Sequence, residues 1–178
     1  MTRAPGRRHR SLLALSISLA RHPEIGAFAR QLALGWARGG RIGRIVASFT
    51  FVSHLVDVPP APSGEDGVSW LLETLGPERG PAVLLAAVLL ALGERAQVES
   101  TRELSFVRVE VHAEDLADLP PHAELLLAND RTYLPLDPRQ HRQPLGVLPA
   151  DVRAALARRL SARQRPYWRS LRSGVPAA

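Results

Sequence analysis

The sequence predicts an α+β domain in which a buried central helix packs on an antiparallel sheet. Three observations predict it. Residues 81–93 (PAVLLAAVLLALG) are apolar from Ala82 to Leu92 without a break, so a helix there must be buried on nearly all sides. The segments that follow show the alternation or the β-branched content of strands. The segments that precede it repeat apolar residues at helical spacing. A chain of 178 residues, 46% hydrophobic, is long enough for one domain with a real core.

Residues 1–10 (MTRAPGRRHR) read as a mobile basic arm. Residues 11–20 (SLLALSISLA) are an apolar run too short to span a bilayer, and read as a core or partner-facing helix. The alternative is a secretory signal, because a basic arm, an apolar run and Ser18-Leu19-Ala20 imitate one. The first reading makes the chain cytoplasmic and the second makes it secreted.

Pro23 and Glu24 suit the first turn of a helix. Ile25, Phe28, Leu32, Leu34 and Trp36 follow at roughly helical spacing, and Gly39-Gly40 stops the helix. A second helix is expected from Arg41 to about Leu55, burying Ile42, Ile45, Val46, Phe49 and Val52. Residues 56–67 are a loop by their Pro, Gly and acids, and a short helix from Ser69 ends at Gly76. Pro81 and Gly93 then bracket the buried helix.

Ala96–Glu99 and Leu104–Val111 read as strands. Glu124–Ala128 and Arg131–Leu136 read as a hairpin, joined by Asn129-Asp130, a pair that tolerates positive φ. The acidic run His112-Ala113-Glu114-Asp115 with Asp118 matches no metal-ligand spacing and reads as a solvated loop. Residues 149–164 read as an Arg-rich amphipathic helix, with Tyr167, Trp168 and Leu171 as anchors beyond it. The expected organisation is a basic arm with a short apolar segment (1–20), a domain (21–140) and a basic helical tail (141–178).

The chain has no cysteine, which excludes disulfides, thiolate ligands and a cysteine nucleophile. It also has no lysine; all 23 basic residues are arginine, the usage of a GC-rich bacterial coding sequence. Residues 1–50 carry nine arginines and one acid, residues 51–140 six arginines and fifteen acids, and residues 141–178 eight arginines and one acid. Two basic ends thus flank an acidic middle. Either the ends fold back and neutralise it, or they reach an acidic partner. In the tail, Arg153, Arg158, Arg159, Arg163, Arg165, Arg169 and Arg172, with Trp168, are the candidate residues for holding nucleic acid or another subunit.

The stretch from Trp70 to Arg139 resembles the core of the transglutaminase-like superfamily, which has the papain-type fold. The residues that carry the resemblance are WLLETL (Trp70–Leu75), the helix AVLLAAVLLALG (Ala82–Gly93), the hairpin, and the final strand TYLPLDPR (Thr132–Arg139). The family reads Gly-Asp-Cys ahead of that helix, then a His-Ala strand, then Pro-Leu-Asp-Pro. The resemblance implies a transglutaminase-like core with extra N-terminal helices and a basic C-terminal helix. It places the family nucleophile on Glu78, within Gly76-Pro77-Glu78, and the family Asp on Asp137. The family His falls on His122 in the register that keeps the hairpin, or on Phe106 if FVRVEV is that strand.

The family's chemistry needs a thiolate at the helix mouth, with an imidazole beside it and an Asp to orient the imidazole. With Glu78 in that place, the resemblance implies a pseudoenzyme: no catalytic residue, no cofactor and no metal, and a role as an interaction or structural subunit with other proteins. Two alternatives stay open. Glu78, His122 and Asp137 could serve a thiol-independent hydrolase or a metal site. The basic tails could make the chain a nucleic-acid-associated protein.

Overall fold

The computed structural model describes residues 6–56, 73–100, 105–128, 130–139, 145–150, 152–154 and 167–170. The architecture is mixed α+β, with helices packed against an antiparallel sheet. The first helix, α1 (Gly6–Ala20), begins inside the stretch that the sequence suggested was a mobile arm. It packs on the central helix and on the first strand. Leu12 is buried, and the buried Ser16 hydroxyl donates back to the Leu12 carbonyl at 2.9 Å, which is how a serine is tolerated there.

Helix α2 (Pro23–Gly35) starts at Pro23 because His22 before it is extended (φ −66°, ψ 135°), the conformation that a following proline favours. Ile25 and Ala29 are buried, and Phe28 and Leu32 pack partly against the core. Leu34 and Trp36 do not continue that face: they are 80% and 50% exposed. The reason is angular. Nine residues on from Ile25, at about 100° each, Leu34 lies about half a turn away on the solvent side. A 3₁₀ turn (Ala37–Gly39) and Gly40 at φ 61° lead into α3 (Gly40–Val56), which buries Ile42, Ile45, Phe49 and Val52.

The central helix, α4 (Gly80–Ala91), is buried at every residue from Gly80 to Leu89. Helices α1, α2 and α3 contact it, and so do the first two strands. Helix and sheet packing together therefore account for its lack of a polar face. Its end is a Schellman motif: Glu94 N–H reaches the Leu89 carbonyl at 2.9 Å, Gly93 N–H reaches that of Leu90 at 3.0 Å, and Gly93 takes φ 86°.

The sheet has the order β1-β2-β4-β3-β5, antiparallel throughout: β1 Ala96–Ser100, β2 Ser105–Val111, β3 Glu124–Ala128, β4 Arg131–Leu136 and β5 Tyr167–Ser170. Asp130, at φ 58°, turns the β3–β4 hairpin. Val107, Val109, Val111, Leu125, Leu134 and Leu136 join the α4 core. Phe106, Leu126 and Tyr133 pack instead with Leu148 and Val152 as a second cluster. The Arg108 guanidinium lies 4.7 Å from the centroid of the Tyr133 ring.

Two further segments differ from the sequence reading. Residues 113–117 form a 3₁₀ turn with Asp115 buried, rather than a solvated loop, because Asp115 accepts from the His112 N–H at 2.8 Å and from Arg41. Residues 167–170, expected within a helical tail, form the edge strand β5. In the sequence, a proline just before this segment disfavours a helix through it, and Tyr and Trp favour a strand. Arg158, Arg159, Arg163, Arg165 and Arg172 lie outside the described residues.

Candidate functional site

The turn before α4 and the end of β4 meet through one arginine. The turn is built on Gly76 (φ 69°), whose carbonyl accepts from the N–H groups of Arg79 and Gly80 at 3.2 and 2.9 Å. It holds Glu78 just ahead of the helix, with its side chain 58% exposed. Opposite it, β4 ends at Leu136, and the carboxylate of Asp137 that follows is 1% exposed.

Arg139 joins the two. Its Nε donates to Asp137 Oδ1 at 2.9 Å and its Nη2 to Oδ2 at 2.6 Å, a bidentate grip. Its own backbone N–H reaches Oδ1 at 3.2 Å. Its Nη1 donates to Glu78 Oε2 at 3.0 Å. Burial alone pulls the guanidinium pKa down, but the bonds and charges of Asp137 and then Glu78 outweigh it, so the pKa stands above its ordinary value. Arg139 therefore stays charged at any working pH and offers neither a base nor a nucleophile.

Of the three residues that the resemblance singled out, the structure thus brings Glu78 and Asp137 to one guanidinium. His122 is half-buried and makes no hydrogen bond or ion pair with any described residue. Both carboxylate oxygens of Asp137 are taken by Arg139. Among the described residues no group of three or more His, Asp or Glu is placed to hold a metal ion.

The two candidate histidine positions lie on different elements, Phe106 on β2 and His122 in the turn before β3. Strand β4 lies between β2 and β3. The β2–β4 pairing ends at Val107↔Leu136, next along the chains to Phe106 and Asp137. The β3–β4 pairing ends at Leu126↔Tyr133, and His122 lies before β3 in a turn closed by the Ala123 N–H on the Pro120 carbonyl at 2.9 Å. Phe106 is fully buried among Leu126, Tyr133, Leu148 and Val152.

The tail arginines are partly accounted for. Arg153 Nη1 donates to Glu124 Oε1 at 3.0 Å, so its charge serves the fold. Trp168 and Arg169 lie on β5, paired with Leu126 and Leu125.

A second charged cluster escaped the sequence reading. Arg41, at the start of α3, donates from Nε to Glu94 Oε2 at 2.7 Å, from Nη2 to the Glu110 carbonyl at 2.6 Å, and from Nη1 to Asp115. Glu94 and Asp115 are both buried. Like Arg153–Glu124, this pairs a basic end with the acidic middle. The charge asymmetry was the only signal for either contact, and it names no partners.

Comparison with protein-family models, with curated proteins and with solved structures gave no match.

Proposed function

We propose that this chain is a transglutaminase-like protein without the family's thiol chemistry, acting as an interaction or structural subunit of a larger assembly. The observation that carries the proposal is the clamp of Arg139 on Asp137 and Glu78. At the mouth of a helix like α4, acyl-transfer chemistry needs a nucleophile, a base and an orienting acid. Here the acid is buried in a bidentate ion pair, the nucleophile position is a carboxylate, and the cation between them cannot take up a proton.

The buried Ala/Leu helix, the antiparallel sheet and the Pro-Leu-Asp-Pro strand end support the family reading. The absence of cysteine supports the non-catalytic one. With Glu78 and Asp137 both held by Arg139, the reading favours surface recognition as the role.

The test is isolation of the full chain from its native source under mild conditions, with its mass measured in solution. A complex with a second protein at fixed stoichiometry is the expected result. Recovery of only the free chain, across salt and concentration, would contradict the proposal.

A further inference from the structure

From Met1 to Val56 the chain holds nine arginines and one acid, Glu24. Arg41 is taken by Glu94 and Asp115. Arg30 and Arg38 are exposed and form no ion pair with any described residue. Arg30 lies on α2 and Arg38 in the 3₁₀ turn that leads from α2 to α3, and every residue from Leu34 to Gly40 is exposed.

Two large apolar side chains stand on this segment: Leu34, 80% exposed, and Trp36, 50% exposed. Arg30 and Leu34 are four residues apart on α2 and share its outer face. A leucine as bare as Leu34 projects from the surface.

We propose that this segment docks on an anionic lipid surface, with Leu34 and Trp36 entering the interface and Arg30 and Arg38 on the headgroup phosphates. Three features favour lipid over an acidic protein or a nucleic acid. A fluid interface accepts projecting apolar side chains with no shaped pocket to receive them. Tryptophan is the residue that prefers the headgroup level, and arginine lays its stem along apolar surface while its head reaches phosphate. A nucleic acid would engage the arginines and Trp36 but leave Leu34 in water. The contact is a surface one; among the described residues no helix is long and apolar enough to cross a membrane.

The cysteine-free chain allows a direct test. The full chain carrying Leu34→Cys is labelled with an environment-sensitive dye and mixed with phosphatidylcholine vesicles, with and without phosphatidylglycerol. The expected result is sedimentation with the anionic vesicles only, with a blue shift of the dye. Leu34→Asp with Trp36→Asp should weaken binding about tenfold or more, and so should Arg30→Glu with Arg38→Glu.

Any of three outcomes would overturn the proposal. One is no binding to anionic vesicles, whether or not an acidic protein or RNA binds instead. Another is equal binding to neutral vesicles. The third is binding that leaves the dye at position 34 in water and is unmoved by both pairs of substitutions, which would assign it to other arginines.

Discussion

Arg139 holds both carboxylate oxygens of Asp137, at 2.9 and 2.6 Å, only two residues away along the chain. The strand end thereby becomes a rigid ion-paired turn, and the third arm of the guanidinium ties it to the mouth of α4 through Glu78. The two bonds differ in worth because their environments differ. Asp137 is out of water, so losing Arg139 leaves a buried charge uncompensated, whereas Glu78 keeps most of its hydration.

Arg139→Ala is therefore expected to cost about 3–5 kcal/mol of folding stability, while Glu78→Ala costs about 1 kcal/mol or less. Urea unfolding of the two variants beside the parent chain measures both. Equal small effects would mean that Asp137 has another partner.

The pH dependence has a fixed sign. The folded-state pKa of Arg139 is raised, so its contribution is fully present below the unfolded value and is lost only as the pH climbs through the folded one, in strong alkali. The stability gap between the parent chain and Arg139→Ala should stay flat from about pH 6 to about pH 9, read from melts across that range.

Arg41 presents the same physics between more distant segments. Glu94 and Asp115 are buried, and one guanidinium serves both as well as the Glu110 carbonyl. Arg41→Met keeps the apolar stem and removes the charge, and should lower stability by about 3–5 kcal/mol. Hydrogen exchange should quicken at residues 112–118, where Asp115 holds the 3₁₀ turn.

At Gly146 backbone and packing act together. It has φ 80°, and a Cβ there would sit 2.8 Å from Leu134 Cδ1 and 3.1 Å from the Ala123 Cβ. Gly146→Ala should cost about 2–4 kcal/mol, from left-handed strain added to a core clash. A loss below about 0.5 kcal/mol in denaturant melts would show that the segment shifts freely.

What the sequence made legible was whatever local pattern decides. Helix α4 needed only its apolar run with Pro81 and Gly93, and the β3–β4 hairpin only its alternation and Asp130. Leu34 and Trp36 were misassigned because a list of apolar residues at rough spacing was not checked against angle; Leu34 is half a turn off the buried face. Strand β5 was hidden in an arginine pattern that reads as helix, since an edge strand depends on the neighbour it finds. The clamp at Arg139 and the cluster at Arg41 were illegible for a related reason. Arg41 reaches partners 53 and 74 residues away, and Arg139 reaches Glu78 across 61. Charge counts show that such pairs must form and not which ones.

The most direct test of the non-catalytic reading is the intact mass of the full chain after incubation with activated acyl donors, followed beside the rate of donor consumption. An unmodified mass and a rate no greater than that of buffer are expected, because Glu78 and Asp137 are both held by Arg139. A stoichiometric acyl adduct, or turnover abolished by substituting Glu78 or His122, would contradict it.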